Sequence, residues 1–238
     1  MMRILLPPTA NSLFPSRPFL FSHHLGCEPL LTIGALFEAA RDLAPEMVEY
    51  VLDPSAGAPV GPREGDTSAL DIIRMIESGS AWVIFRNLEQ LDRYNQFMNE
   101  VLVDLVSLDC WRDLPFMRPM CFAFLSSPSV LTPLHIDPEH NFLFQVAGTK
   151  VVSLNDPIEH PLTTADEISA FYADEVSYRL EYRQEYDQGL DLYPLDPSSG
   201  VYIPVTAPHL VRNGQCVSIS CSLTFRTVVS EMHRQAHM

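Results

Sequence analysis

The sequence predicts a mainly β protein with flanking helices, in which a double-stranded β-helix, a barrel of the jelly-roll or cupin type, follows an N-terminal helical part. Short strand-like runs with turn residues between them fill the chain after about Pro115. Before that point, apolar residues recur mostly at helical spacing. The 238 residues suit a barrel and its helices as one compact domain. We therefore separate an N-terminal part, 1–114, from a barrel core, 115–238.

The N-terminal part is predicted to hold an extended arm, followed by helices and one strand. Thr32 can cap a helix within 30–52, which a proline interrupts before a second short helix. Ser68 can cap the next helix, the run AWVIFRN at 81–87 is strand-like, and 89–108 has the spacing of a long helix. These helices are expected to cover one sheet of the barrel from outside.

Seven strands are predicted in the barrel core. They lie at 120–127, 132–137, 141–147, 149–156, 200–204, 209–212 and 216–227. The stretch 157–199, between the fourth and fifth of these strands, is predicted to be an insertion with a short helix at 163–173. It carries five tyrosines among many acidic residues. Two interpretations stay open for it: an acidic surface loop, or a lid that helps to choose the substrate.

The last strand-like run alternates between apolar and polar residues. One face carries Val217, Ile219, Cys221, Leu223 and Phe225, and the other carries Ser218, Ser220, Ser222, Thr224 and Arg226. The apolar face is expected to pack on a core. The polar face would meet water on an ordinary sheet, or the lumen of a ligand site in a barrel.

The charge of the chain excludes some partners. Thirty acidic residues against 15 basic ones give a net charge of −15, which repels a phosphate backbone, so we expect no nucleic-acid partner. A peptide, a protein or a small molecule is the expected substrate. No apolar stretch is long enough for a membrane span. The cysteines form no CxxC pair; Cys121, Cys216 and Cys221 are expected to be buried, reduced thiols, which favours a cytoplasmic protein.

A His-x-Asp tripeptide is the main functional signal. His135 and Asp137 are two residues apart in a strand-like run, so both side chains are expected on one face. An imidazole and a carboxylate side by side supply two of the three ligands in a 2-His-1-carboxylate site. Such a site holds iron(II) and leaves three coordination positions open.

His209 is the best third ligand for this site. It lies between two strand-like runs, whereas its rival His140 stands three residues after Asp137 and is expected off the metal face by strand parity. The remaining histidines are expected to be surface residues in loops or in the C-terminal tail: His23, His24, His160, His233 and His237.

Three segments of the barrel resemble the JmjC and cupin-like hydroxylases: TPLHIDPEHNFLFQVAGTKVVSL, GVYIPVTAPHLVRNG and SISCSLTFRT. The pattern is similar to that of the asparaginyl hydroxylases that act on hypoxia-inducible factor. The resemblance covers about residues 118–227. It implies an Fe(II)- and 2-oxoglutarate-dependent dioxygenase that hydroxylates a protein side chain, a peptide or a small molecule, with His135, Asp137 and His209 as the iron ligands.

The resemblance also implies residues that bind the cosubstrate. Lys150 matches the lysine that holds the far carboxylate of 2-oxoglutarate, and Thr132 matches a threonine whose hydroxyl supports the same carboxylate. Asn141 matches an asparagine near the cosubstrate. Thr224 stands where the family has a second asparagine, a departure that affects one hydrogen bond to the cosubstrate.

The residues themselves leave the cosubstrate anchor open between Lys150 and Arg226. The keto-acid end of 2-oxoglutarate can chelate iron, so its far carboxylate needs a cation elsewhere. Lys150 begins an apolar strand, whereas Arg226 lies on the polar face of the last strand and offers bidentate recognition. We favour Lys150, with Arg226 otherwise pairing with an acidic loop. Phe124, on the first barrel strand, is either a core aromatic or a lining residue of the cosubstrate pocket.

Two further functions stay open. A metal-binding cupin enzyme that does not use 2-oxoglutarate would need the triad but not Thr132, Asn141 and Lys150. A non-catalytic binding or regulatory module would tend to lose a metal ligand, so the intact triad argues against it. The sequence fixes neither the substrate nor the oligomeric state, and a homodimer is one of the open states.

Overall fold

The computed structural model describes residues 3–52, 68–78, 81–106, 116–173, 180 and 183–237. The strands are β1 Ile4–Leu5, β2 Phe19–His23, β3 Val48–Leu52, β4 Ala81–Phe85, β5 Met117–Ser126, β6 Leu131–His135, β7 His140–Ala147, β8 Lys150–Asn155, β9 Leu190–Leu195, β10 Ser199–Ile203, β11 His209–Asn213 and β12 Ser218–Arg226. The helices are α1 Ala10–Leu13, α2 Ile33–Asp42, α3 Ala69–Met75, α4 Asp92–Val106, α5 Ala165–Ala173, α6 Tyr186–Gly189 and α7 Val228–His237.

Two antiparallel sheets form the jelly roll that the sequence predicts. The large sheet has the order β1-β2-β10-β7-β12-β5-β4-β3, and the small sheet has the order β6-β11-β8-β9. From β5 to β8 and again from β9 to β12, successive strands alternate between the two sheets in the manner of a double-stranded β-helix. The prediction of seven barrel strands was wrong by one because β9 lies inside the stretch taken for an insertion, where Pro194 and acidic residues hide its strand pattern.

The N-terminal part contributes more strands than the sequence predicts. β1 and β2 extend the large sheet beyond β10, while β4 and β3 extend it beyond β5. The expected second helix after Pro45 is a single 3-10 turn, Pro45–Met47, that leads into β3. The arm includes β2, in which Phe19, Phe21 and His23 are buried while the residues between them are exposed. This period of two identifies a strand, but it is short and follows two proline-containing turns.

Side-chain caps set the beginnings of the helices that the sequence predicts. The hydroxyl of Thr32 accepts a hydrogen bond from the backbone N–H of Ala35 at the start of α2. Ser68 and Asp71 form a reciprocal capping box at α3. Thr227 and Ser230 exchange hydrogen bonds where α7 begins, so the expected C-terminal tail is helical through His237.

The main core lies outside the barrel, between the large sheet and the N-terminal helices. It contains the apolar face of β12 together with residues of α2, α3 and α4. The opposite face of β12 points into the barrel, and its serines are at most 1% exposed. The polar face therefore meets a buried lumen, as one of the two interpretations of its alternation predicts. Cys121 and Cys221 are buried as expected, whereas Cys216 is exposed because it lies in the turn before β12.

The structure also bears on membrane insertion. Within the described part of the chain, no helix combines the length and the apolar character that a membrane span needs.

Candidate active site

The structure brings His135, Asp137 and His209 together at one end of the barrel. One ligand atom of each lies within 4.8 Å of the corresponding atoms of the other two. His135 ends β6 and His209 begins β11, and the two residues are direct cross-strand partners with ring centroids 4.0 Å apart. The Nε2 atom of His209 is 3.6 Å from Oδ2 of Asp137. Two imidazoles and one carboxylate at this spacing match the donor set that iron(II) takes in non-haem oxygenases.

Backbone carbonyls fix the orientation of both imidazoles. The Nδ1 atom of His135 lies 2.8 Å from the carbonyl oxygen of Pro133, and Nδ1 of His209 lies 3.0 Å from that of Ala207. A carbonyl can only accept, so each Nδ1 carries the proton and each Nε2 keeps its lone pair for a metal. Burial and, to a smaller extent, the nearby His135 lower the pKa of His209 to about 4, although Asp137 opposes the shift. The ring is therefore neutral, the form that binds a metal.

Asp137 lies two residues beyond the end of β6, not inside the strand as predicted. Its backbone carbonyl accepts a hydrogen bond of 2.9 Å from the N–H of Thr206. Thr206 has a φ of 56°, a left-handed conformation that is rare for a β-branched residue. The loop before β11 is thus linked directly to the loop that carries the carboxylate ligand.

The other histidines lie away from this centre. His140 is buried on the helix side, where Nδ1 is 2.7 Å from the hydroxyl of Tyr202 and Nε2 is 3.3 Å from that of Thr227. Its predicted exclusion from the metal face agrees with this position. His23 was expected at the surface but is 1% exposed, because it lies on the inward-facing side of β2.

Strand register places the predicted cosubstrate residues of the small sheet on the same inner face as the triad. On β11, His209 pairs with Leu154 of β8, and Asn213 pairs with Lys150. Directly opposed residues share a face of the sheet. Thr132 and His135 are three residues apart, so regular alternation would put them on opposite faces of β6. A register shift in the pairing of β6 with β11 instead pairs each of them with an inward-facing residue of β11.

Lys150 is a buried cation that has no acidic partner among the described residues. It is 5% exposed, and its Nζ donates a short hydrogen bond to Oγ of Ser220 across the barrel. Burial lowers the pKa of Lys150 to about 7. It is also the only lysine in the chain. Gly148, with a φ of 68°, makes the tight turn before it, and a Cβ there would lie 2.3 Å from the carbonyl oxygen of Val217.

Polar atoms without partners lie on both sheets, most of them on the large sheet. Asn141 and Thr224 are cross-strand neighbours on β7 and β12, and Phe124 lies opposite Ser220. Within the described residues, no hydrogen bond is made by these buried atoms: Oδ1 of Asn141, Oε1 of Gln145, Oδ1 of Asn213, Oγ of Ser222 and Oγ1 of Thr224. Buried polar groups rarely lack partners, so this lumen fits a small polar ligand. A dianion such as 2-oxoglutarate would supply acceptors for Lys150.

Four residues of this lumen had no role in the sequence-based interpretation. They are Gln145, Asn213, Ser220 and Ser222. The alternation of β12 placed Ser220 and Ser222 on a polar face, but it could not show that Lys150 lies across from them. That contact depends on the packing of one sheet on the other.

Arg226, the alternative anchor, is engaged elsewhere. Its Nη2 donates to Oε1 of Glu139 at 2.7 Å, and its Nη1 donates to Oε2 of Glu231 at 3.3 Å. Burial raises the pKa of Glu139, although Arg226 opposes the shift. These contacts fit the alternative in which Arg226 pairs with an acidic loop.

The described part of the predicted insertion lies beside the metal ligands. Phe171 and Tyr172 of α5 pack against Ile136, the residue between two of the ligands. The N–H of Leu180 donates to the carbonyl oxygen of Leu134 at 3.2 Å. Tyr178 and Tyr182, counted in the predicted cluster, lie outside the described residues.

Comparison with known proteins supports the fold. The sequence matches no protein-family model and no curated protein. A crystal structure of E. coli YcfD matches with a TM-score of 0.60 and 14% identity over 95% of this chain. A crystal structure of the Escherichia coli ribosomal oxygenase YcfD matches with a TM-score of 0.59 and 16% identity over 94% of this chain. YcfD in complex with cobalt and 2-oxoglutarate matches with a TM-score of 0.56 and 15% identity over 94%.

The chain spans about half of YcfD, 53% or 54% of its length in these comparisons. At such identities the likeness establishes architecture. A specific likeness to the asparaginyl hydroxylases of hypoxia-inducible factor stays a prediction. The chain therefore has the jelly-roll fold of the YcfD oxygenase structures, in agreement with the fold that the resemblance to JmjC and cupin-like hydroxylases implies.

Proposed function

We propose that this protein is an Fe(II)- and 2-oxoglutarate-dependent oxygenase that hydroxylates its substrate. One observation carries the proposal: the His135, Asp137 and His209 triad shares its inner face with Lys150, a buried cation that has no acidic partner in the described chain. A metal-binding cupin without 2-oxoglutarate has no need for such a cation, and leaving it unpaired is costly.

Each element of the site has a definite task. The three ligands would hold iron on one side, and their backbone hydrogen bonds would keep the open positions toward the lumen. Lys150 would bind the far carboxylate, while Ser220 orients its ammonium. Asn141 and Thr224, with Thr132 on the other sheet, offer hydrogen bonds along the cosubstrate. Bound iron and 2-oxoglutarate would supply the oxidising chemistry that uses O₂ and yields succinate, CO₂ and a hydroxylated product.

Strand geometry fits a short dicarboxylate. The pairs His209–Leu154 and Asn213–Lys150 are four residues apart along β11. At a rise of roughly 3.3 Å per residue the two pairs are about 13 Å apart along the strand. That length accommodates the lysine side chain together with a small molecule that reaches the metal. The YcfD structures with cobalt and 2-oxoglutarate or with cobalt and succinic acid support the same pair of ligands.

We further propose a polypeptide substrate in the cytoplasm and no nucleic-acid partner. The description of YcfD as a ribosomal oxygenase supports a protein substrate. The net charge of −15 favours neutral or basic groups over phosphates. The contact of α5 with Ile136 sets a helix from the insertion next to the metal ligands, where it can contact a substrate. This contact supports the lid interpretation for the α5 part of the insertion.

Turnover of 2-oxoglutarate tests the proposed activity. Purified protein with Fe(II), ascorbate, O₂ and 2-oxoglutarate should form succinate, slowly alone and faster with a hydroxylatable polypeptide. Digests of basic proteins are the first substrates to try, with mass spectrometry for the addition of one oxygen atom. Asp137→Ala is the matched inactive control. Succinate formation equal to that of this control would contradict the proposal.

A further inference from the structure

We propose that Arg226 is a positioning residue for the metal centre, which holds the loop of Asp137 through the carboxylate of Glu139. The inference rests on the proposed function because it concerns the same metal. It also gives a role to Arg226, the cation to which the proposed function assigns no task.

The ion pair of Arg226 with Glu139 is close and sheltered. Oε1 of Glu139 lies 2.7 Å from Nη2 and 3.2 Å from Nε of Arg226, so two N–H groups of one guanidinium donate to one carboxylate oxygen. The two side chains are 15% and 13% exposed. A pair of this kind is geometrically specific, and removing one partner leaves a buried charge uncompensated.

Glu139 is only two residues from the metal ligand Asp137, in a segment that belongs to no strand. Regular sheet hydrogen bonds therefore do not hold this segment. Thr206 holds it at the carbonyl of Asp137, and Arg226 holds it two residues further on. Together the two contacts fix the direction in which the Asp137 carboxylate leaves the backbone.

Arg226 also removes a competitor for the metal. Glu139 is two residues from Asp137, and its carboxylate, if free, would be a second hard oxygen donor in the same loop. Within the described chain, the Asp137 carboxylate lies within ion-pair distance of His209 alone, whereas Glu139 is engaged by Arg226. The pairing thus leaves one carboxylate, and not two, available to the metal.

The far side of Arg226 is anchored on the C-terminal helix. Its Nη1 reaches Glu231 of α7, and Arg234 on the same helix donates to the other oxygen of Glu231 at 2.9 Å. The metal loop is therefore tied through one guanidinium to α7. Arg234 belongs to the same network but makes no ion pair with Glu139, which makes it a matched control.

Titration with Co(II) under nitrogen tests the role of Arg226 without turnover. Arg226→Met should raise the Kd for Co(II) about ten- to a hundredfold and change the intensity of the visible Co(II) bands, since partners of metal ligands affect affinity by that factor. Arg226→Lys, which retains a cation, should recover part of the affinity. Arg234→Met should stay within about twofold of the unmodified protein, although its Tm falls.

The outcomes separate this inference from the proposed function. Unmodified protein that binds no Co(II) would overturn both. Normal binding together with equal Kd values for Arg226→Met and Arg234→Met would overturn the inference alone. If Arg226→Met raises only the apparent binding constant for 2-oxoglutarate and leaves the Kd for Co(II) unchanged, Arg226 is a cosubstrate residue instead. Glu139→Gln, nearly isosteric, gives the same test if Arg226→Met does not fold: its Kd for Co(II) should rise severalfold, and an unchanged Kd would contradict the positioning role.

Discussion

The ammonium of Lys150 and the hydroxyl of Ser220 meet across the interior of the barrel. β8 belongs to the small sheet and β12 to the large one, so this hydrogen bond joins the two sheets. Ser220 is the only hydrogen-bond partner of the ammonium within the described residues, and both side chains are buried. A charged amine in such a place needs an anion, and Lys150 shares its inner face with the candidate metal ligands.

The first prediction concerns the titration of Lys150. Its pKa of about 7 in the free protein should rise by two units or more when 2-oxoglutarate binds, because the carboxylate stabilises the ammonium. Since Lys150 is the only lysine, protein labelled with ¹³Cε-lysine gives one signal to follow by NMR. A pKa near 10 in the free protein, or no change with the cosubstrate, would contradict the assignment.

The affinity for 2-oxoglutarate should depend on pH with a definite sign. The cosubstrate binds the protonated lysine, so affinity is flat below pH 7 and falls up to tenfold per pH unit above it. Titration of the Co(II) protein between pH 6 and 9 measures this slope. Lys150→Met should bind weakly with no such slope, and a slope retained in that variant would place the titrating group elsewhere.

The stability of the ligand-free protein should rise when the buried charge is removed. The folded pKa of about 7 lies below the unfolded value of 10.5, so the charged lysine destabilises the fold fully below pH 7 and not at all above pH 10.5. Lys150→Met should raise the Tm at pH 6 by at least about 3 °C, which corresponds to about 1 kcal/mol for a chain of this size. The gain should shrink steadily toward pH 10. A lower Tm at pH 6 would show that an anionic partner stabilises the ammonium in the free protein, which would contradict this prediction.

The two candidate anchors should separate by mutation. Lys150→Ala should raise the apparent constant for 2-oxoglutarate about ten- to a hundredfold, the loss of one charge-assisted hydrogen bond of roughly 1.5–3 kcal/mol, and leave metal affinity nearly unchanged. Arg226→Ala should weaken metal binding and leave the apparent constant for 2-oxoglutarate nearly unchanged. A 2-oxoglutarate defect in Arg226→Ala with normal behaviour in Lys150→Ala would reverse the assignment.

Much of the fold follows from local patterns. The caps at Thr32 and Ser68, and the alternation on β12, each depend on neighbours within a few residues, so the sequence displays them directly. β2 was missed because its alternation of buried and exposed residues is short and follows prolines, and β9 was missed because it buries one residue among acidic residues and Pro194. Pairing with β10 and β8 holds these two strands in the sheets.

The candidate site was predictable in its residues but not in its geometry. The spacing of His135 and Asp137 suggested one strand face, yet Asp137 lies past the strand and is held by Thr206. The roles of Ser220 and of Glu139 with Arg226 depend on contacts between residues 70 to 87 positions apart. Only the packed structure brings such residues together.

The carboxylate ligand provides a simple test of the metal centre. Asp137→Ala should abolish stoichiometric binding of Fe(II) or Co(II), since two imidazoles alone hold these ions weakly. Equilibrium dialysis measures the occupancy, and circular dichroism confirms that the variant is folded. Full occupancy in the folded variant would refute the triad.

Anaerobic addition of Fe(II) and then 2-oxoglutarate to the protein tests the central claim most directly. Chelation of iron by the keto acid in this site predicts a charge-transfer band in the visible that appears only when both are present, saturates at one equivalent of each, and is lost in Asp137→Ala. Lys150→Met should need a much higher concentration of 2-oxoglutarate for the same band. Stoichiometric Fe(II) binding with no visible band at saturating 2-oxoglutarate would contradict the account and leave a metal-binding barrel that does not use this cosubstrate.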